Sequence, residues 1–259
     1  MTGRPLLVSD LGRQPYGEML ELQRRLCRAR QSGELAEDLL LLVEHGPVVT
    51  LGRGTRPTSL PVSPDALRQR GIEVFEVERG GDVTFHGPGQ LVGYPILDLA
   101  GHRQDLHWYL RSVEAALIEA LGTLGIDAEV NPGLTGVWTA GRKIASIGIH
   151  VKQWVTFHGF ALNVATDLSF FDVIVPCGIP GVTMTSVVRE LGARAPADPA
   201  AATRAAVVAA FGQVFDRTPR AVDPGEWNLP ADEVAFRGGL RQSPLHGGHP
   251  SQTDSRIGR

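Results

Sequence analysis

The sequence predicts an α/β fold of the α+β kind, a single domain built on a mixed β-sheet flanked by helices. Three observations predict it. Many short runs of β-branched or continuous apolar residues read as strands. A few longer stretches repeat their apolar residues at three- and four-residue steps and read as helices. The two kinds of element do not strictly alternate, which argues against a pure repeat of strand and helix. With 259 residues, 42% of them hydrophobic, the chain can bury a sizeable core. Its 31 glycines and 18 prolines supply the turns that many short strands require.

Residues 5–9 open the chain as a short strand. In 16–30, Met19, Leu22, Leu26 and Ala29 form one apolar helical face. Residues 39–44 are continuously apolar and read as a buried strand, Gly46-Pro47 turns the chain, and 48–51 is another short strand. Ser63-Pro64 is a helix start, with a capping side chain and proline in the first helical position, and that helix ends at Gly71. Residues 72–78 read as a strand, 80–90 as a glycine-rich stretch, and 91–99 as a strand. The clearest helix is 105–125, where Leu106, Leu110, Val113, Leu117, Leu121 and Leu124 keep the 3.6 period and Gly125 ends it. Residues 136–139, 143–151 and 155–164 read as a meander with turns at Ala140-Gly141 and Lys152-Gln153. Asp198-Pro199 opens an alanine-rich helix running to about Asp216. The organisation expected is a main domain over 1–217, its C-terminal extension over 218–237 and a disordered tail over 238–259, where large apolar residues are sparse.

Composition excludes several classes. The balance of 25 basic and 28 acidic residues, net −3, argues against a generic nucleic-acid binder. No apolar stretch approaches the roughly 20 residues that span a bilayer, so no membrane partner is expected. Two cysteines, Cys27 and Cys177, give neither a disulfide framework nor a cysteine-rich zinc site. The first ten residues do not read as a secretory signal, and the expected location is the cytoplasm. His86, His150 and His158 lack metal-ligand spacing, so no metal is expected.

Three segments could carry chemistry. In Pro176-Cys177-Gly178-Ile179-Pro180-Gly181 a cysteine sits in a tight Pro/Gly frame that can present a thiol with backbone N–H groups beside it. The competing reading is a small buried hydrophobe in a turn. Cys27, beside an apolar helical stripe, reads as core. Lys143 enters the apolar strand bearing Ile144, Ile147 and Ile149. It is either a desolvated amine that can act as a base or a solvated turn residue. The densest glycine cluster, Arg79-Gly80-Gly81-Asp82-Val83-Thr84-Phe85-His86-Gly87-Pro88-Gly89-Gln90, lets a ligand lie against the backbone. It is neither a phosphate-binding P-loop nor a dinucleotide fingerprint. Alone, His86 is more often a structural hydrogen-bonder and Asp82 a turn residue.

Taken together, the 79–90 cluster, Arg142-Lys-Ile-Ala-Ser-Ile-Gly148, His158-Gly-Phe-Ala-Leu-Asn163 and Pro176-Cys-Gly-Ile179, in this order, resemble the lipoyl(octanoyl) transferases. Trp138 and Thr183-Met-Thr-Ser186 also look like that family, and the resemblance covers about residues 5–217. It implies a fold similar to the catalytic domains of biotin protein ligases and lipoate ligases. It implies Cys177 as acyl-accepting nucleophile and Lys143 as its partner in proton transfer. The amide of Gly178 is the oxyanion candidate. Arg79, Gly80, Gly81, Asp82, Val83, Thr84, Phe85 and His86 are expected to line the acyl pocket, completed by Ser146, Ile147 and Gly148 and by Gly159, Phe160 and Ala161.

The activity implied is transfer of an octanoyl group from octanoyl-acyl carrier protein to a lysine of lipoyl domains through a cysteine thioester. Those recipients are the lipoyl domains of 2-oxoacid dehydrogenase complexes and the glycine cleavage H protein. No cofactor is expected, since the acyl group arrives on the phosphopantetheine arm of the carrier. The competing activities are an ATP-dependent lipoate or biotin ligase, a cysteine thioesterase, and an inactive module that docks lipoyl domains. For an acidic carrier, Arg53 with Arg56 offers one basic patch. The helix face bearing Arg24, Arg25 and Arg28 offers another, though such a face is ordinarily just solvated.

Overall fold

A computed structural model describes residues 3–178, 181–227 and 229, with Cys177 described by its backbone. The chain begins with β1 (Pro5–Arg13), crosses through α1 (Tyr16–Ser32) and returns as β2 (Asp38–Glu44), parallel to β1. A helical crossover is what two parallel neighbours require. Gly33, at φ +83°, ends α1 in the left-handed region that glycine enters without penalty. Next come β3 (Val48–Leu51), α2 (Pro64–Gln69) and β4 (Glu73–Glu76). Ser63 caps α2, its hydroxyl accepting from the Ala66 amide. Then follow β5 (Val83–His86), β6 (Gln90–Ile96) and α3 (Leu106–Thr123), capped by Asp105. A hairpin series, β7 (Glu129–Asn131), β8 (Leu134–Thr139), β9 (Arg142–Lys152) and β10 (Val155–Asn163), leads to α4 (Val187–Leu191), α5 (Pro199–Val214) and β11 (Thr218–Ala221).

Among the described residues, eight strands form the main sheet in the order β11-β1-β2-β6-β10-β9-β8-β7. It is mixed: β1 is parallel to both neighbours and the remaining pairs are antiparallel. Strand alternation divides the core between its two faces. On β2, Leu39, Leu41 and Val43 face α1, while Leu40 and Leu42 face α3 and α5. Both sets are buried, which is why this segment reads as one apolar run and not as an alternation. From α1, Met19, Leu22 and Leu26 are fully buried. Each contributes roughly 1.5–3 kcal/mol by leaving water, and an aspartate at Leu22 would undo the packing.

The single expected sheet is accompanied by a second one. Three short strands, ordered β4-β3-β5, enclose a separate cluster around Val49, Leu67, Phe85 and Phe171. The glycine-rich stretch 80–90 therefore contains a strand, β5, whose four residues are too few to show a period between glycine turns. Two other strands and a helix were not anticipated. β7 has three residues, α4 has five, and the exposed Thr-Pro-Arg-Ala of β11 pairs through its backbone with no hydrophobic signal. β11 joins the main sheet beside β1, and buried Trp227 donates its indole N–H to Ser9 Oγ at 3.0 Å. The tail 238–259 lies outside the described residues. Among the described residues no helix is long and apolar enough to cross a membrane.

Candidate active site

A cleft of about 200 Å³ opens where the small sheet faces β6, β9 and β10. One wall carries Arg79, Gly81, Asp82, Val83, Thr84 and His86. The other carries Ser146, Ile147 and Gly148 from β9 and Gly159, Phe160 and Ala161 from β10. Antiparallel register explains why these two triplets share a wall: Gly148 pairs with Gly159, Ile147 with Phe160 and Ser146 with Ala161.

Two residues expected in the pocket do not line it. Phe85 points to the face of β5 opposite Thr84 and His86, where it stacks on Phe170 at 4.8 Å between ring centroids, because strand neighbours alternate sides. Gly80 instead donates its N–H to Ile149 O at 2.9 Å, fastening the cleft lip to β9. The sequence reading also missed Tyr16, Val92, Tyr94, His158 and residues 133–135, which line it too. Val92 and Tyr94 share one face of β6, so their spacing of two was a usable signal. Tyr16 arrives through the tertiary packing of α1 and had none.

Arg79 is buried and braces the lip. Its guanidinium donates to Thr50 O at 2.8 Å, to Thr50 Oγ1 at 2.9 Å and to Gly80 O at 3.0 Å. The neighbouring glycine is dictated by this side chain, since a Cβ at Gly148 would stand 2.7 Å from Arg79 Cδ. Beside it, the Glu78 carboxylate takes two donors from Arg24, each at 2.8 Å. His158, at φ +58°, and Arg24 hold that carboxyl well below the usual range.

A buried polar chain runs from His86 to Lys143. Gln90 donates its amide to Phe85 O at 3.1 Å and to Asn163 Oδ1 at 3.0 Å, so its Oε1 is left to accept from His86 Nδ1 at 2.9 Å. This fixes the neutral tautomer with Nε2 unprotonated. Burial, with His45 nearby, pushes the His86 pKa down to about 3. Asn163 donates to Thr185 O at 3.0 Å, and the Thr185 amide donates to Lys143 O at 2.9 Å.

Lys143 is 1% exposed. Its Nζ donates to Thr135 O at 2.9 Å and lies 5.4 Å from the centre of the Trp138 ring. Gly136, at φ +124°, makes room for it: a Cβ there would stand 2.6 Å from Lys143 Cε. The backbone of Lys143 is gripped by residues 183–185, its N–H donating to Thr183 O at 2.9 Å.

The segment that grips Lys143 is continuous in sequence with the Cys177 turn. Pro176–Gly178 is a 3₁₀ turn seated against Asp82. Gly178 has φ +64°, and a Cβ on it would stand 2.1 Å from Asp82 Oδ2. Ser59 secures both, donating its hydroxyl to Asp82 Oδ2 at 2.7 Å while its carbonyl accepts from the Val175 amide at 2.8 Å. The amide of Gly178 is the expected oxyanion donor. Its N–H already donates to Val175 O at 2.9 Å to close the turn, so that donor is engaged. Cys27, by contrast, is buried, and desolvation pushes its thiol up to about 11 against the pull of Lys152 and Arg28.

The two basic patches weighed from sequence partly merge. Arg24 and Arg28 of α1 share a surface groove with Arg53, His150 and Lys152. Arg24 is matched by Glu21 and Glu78, whereas Arg28, Arg53 and Lys152 form no ion pair among the described residues. Arg56 is not part of the groove. The groove adjoins the cleft, because the Arg53 amide donates to Arg79 O at 3.1 Å. Among the described residues no three His, Cys, Asp or Glu side chains gather as a metal site would require.

Residues 15–212 match the family model described as the lipoyl protein ligase A/B catalytic domain. An octanoyltransferase of Gloeobacter violaceus is 49% identical over 213 residues, 82% of this chain and 91% of that protein. One of Solibacter usitatus is 51% identical over 197 residues, 75% and 87% of the respective chains. Among solved structures, a lipoate-protein ligase A bound with ATP superposes with a TM-score of 0.68 at 19% identity, covering 90% of this chain and 93% of that one. The Thermoplasma acidophilum bipartite lipoate protein ligase gives 0.65 at 18% identity, covering 95% and 100%. At such identities the structures attest a shared fold, with the mixed sheet and flanking helices that the sequence predicts.

Proposed function

The chain belongs to the lipoyl protein ligase A/B catalytic domain family, and from that premise we propose that it is an octanoyltransferase of protein lipoylation. In this reading it moves an octanoyl group from the thioester of an acyl carrier protein to a lysine of a lipoyl domain. The observation that carries the reading is a convergence on one cleft. Thr135, the partner of the Lys143 ammonium, and Asp82, the seat of the Cys177 turn, both line it.

A cysteine of ordinary pKa, about 8.5, is only a few per cent thiolate near neutrality. In the proposed mechanism the Lys143 ammonium favours the Cys177 thiolate. The sulfur attacks the thioester carbonyl, a new carbon–sulfur bond forms, the bond to the carrier's pantetheine sulfur breaks, and that sulfur leaves as the thiol with the proton of Lys143, which is left neutral. The octanoyl group then rests on Cys177. The ε-amine of the lipoyl-domain lysine attacks that carbonyl and loses a proton to Lys143, the amide forms, and Cys177 is regenerated. Thioester-to-amide transfer is downhill, so the reaction requires neither ATP nor a cofactor. The chain is held by burial of its methylenes at about 0.8 kcal/mol each against Ile147, Phe160, Val83 and Val92. The acidic carrier is proposed to dock on the groove of Arg28, Arg53 and Lys152.

The test is reconstitution. The chain, octanoyl-carrier and an unmodified lipoyl domain, mixed without ATP, are expected to give a lipoyl domain octanoylated on lysine. Modification that needs free octanoate and ATP would identify a ligase, and release of octanoate to water a thioesterase.

A further inference from the structure

Glu114 is a carboxylate on α3 with no exposed surface, and nothing in the reaction described above uses it. One of its oxygens takes the Arg111 guanidinium at 2.5 Å, and the other accepts the Gly136 amide at 3.0 Å. That N–H belongs to the same peptide unit as the Thr135 carbonyl, which accepts Lys143 Nζ at 2.9 Å. A single peptide group is thus held between a carboxylate and an ammonium. Its N–H faces the negative group and its C=O faces the positive one.

We propose that Glu114 is a positioning residue for Lys143, acting through the Thr135–Gly136 peptide. Both contacts are charge-assisted, and such bonds are roughly twice as strong as neutral ones. Each polarises the peptide in the sense that strengthens the other. Reversing the peptide would set a carbonyl against the carboxylate and an N–H against the ammonium, so the Thr135 oxygen stays directed at Nζ. Glycine at 136 is what admits this arrangement, since its φ of +124° and the close passage of Lys143 Cε exclude a side chain. A buried carboxylate is costly where a neutral amide would satisfy one N–H. The charge itself is therefore the functional feature: it keeps the ammonium on the carbonyl of Thr135, a residue of the cleft wall. The inference rests on the reading of Lys143 as the proton-transfer group.

Glu114→Gln tests it in the full chain, because glutamine keeps an acceptor for Gly136 while removing the charge. Arg111, already half exposed, can turn to solvent. Expected are a kcat for octanoyl transfer lowered about tenfold and a KM for carrier and lipoyl domain unchanged within about twofold. An upfield shift of the Gly136 amide proton in ¹⁵N-glycine-labelled protein is also expected. A Glu114→Gln protein with unchanged kcat would overturn the proposal. So would a loss of activity with the Gly136 resonance unmoved. The amide shift needs only folded protein, so it reports even if turnover is lost through lowered stability. If the unsubstituted chain forms no octanoyl-lysine at all, it is the transferase reading that has failed; if it does and Glu114→Gln matches its kcat, the failure lies with Glu114.

Discussion

Lys143 reaches the Thr135 carbonyl, at 2.9 Å, by running its stem across the bare Cα of Gly136. Sequence, backbone and chemistry are joined at that crossing. A left-handed glycine on β8 leaves the space, a buried strand supplies the lysine, and the amine ends on the carbonyl of Thr135, a residue that lines the cleft.

Gly136→Ala is therefore expected to damage function beyond its effect on folding. The added methyl meets Lys143 Cε and Ala145 O, each at 2.6 Å, at a φ of +124°. Such overpacking costs about 1–3 kcal/mol of stability. Transfer should fall at least tenfold at temperatures where the variant is still folded. Thermal denaturation beside a transfer assay checks this, and wild-type turnover would contradict it.

The Cys177 turn offers a paired test. Gly178→Ala places a methyl 2.1 Å from Asp82 Oδ2 at a φ of +64°. Adduct formation on Cys177 should drop more than tenfold. Because the steric part of that loss is owed to Asp82, the double variant Gly178→Ala, Asp82→Ala should lose less than the two single effects combined. Simple additivity in a double-mutant cycle would show that the turn is not seated on Asp82.

Acid should destabilise the protein well before its carboxylates titrate. Burial lowers His86 to about 3 and His45 to about 4, against about 6.5 when unfolded. The unfolded chain therefore binds protons that the folded one refuses. The stabilisation is complete above pH 6.5 and is lost progressively as pH falls towards the folded values. By pH 5 each histidine forfeits about 2 kcal/mol. Glu78 and Asp38, held below the usual carboxylate range, add their losses only at still lower pH. Tm measured from pH 7 to pH 5 should fall by several degrees, and a flat profile would contradict the neutral buried pair.

Docking of an acidic carrier on the basic groove predicts a salt-dependent substrate effect. Arg53→Glu with Lys152→Glu should raise the KM for octanoyl-carrier about tenfold at low salt. The difference should shrink as salt rises, and turnover of a small octanoyl thioester should be unaffected. An unchanged KM, or one raised for the lipoyl domain instead, would remove the groove as the carrier's seat.

Much of this was legible in the sequence because the signals were local. The run Leu39 to Val43 announces a strand buried on both faces, and the spacing of Val113, Leu117 and Leu121 announces α3, although Leu106, expected on the same stripe, is exposed. The triplets at Ser146 and Gly159 stand in their motifs before any fold is known. Glu114 could not be read in this way. It lies on the buried face of a helix and meets Gly136 only after β8 is laid against α3. The engagement of the Gly178 amide was equally hidden, since it depends on the turn closing on Val175. The second sheet escaped because β5 is shorter than any period that could disclose it.

Intact-mass spectrometry after mixing the chain with octanoyl-carrier tests the central claim most directly. The account predicts a single octanoyl thioester mapped to Cys177, absent in Cys177→Ser, stable until a lipoyl domain is added and then discharged onto its lysine. No adduct, or an adduct on Cys27 or Lys143 in place of Cys177, would contradict it.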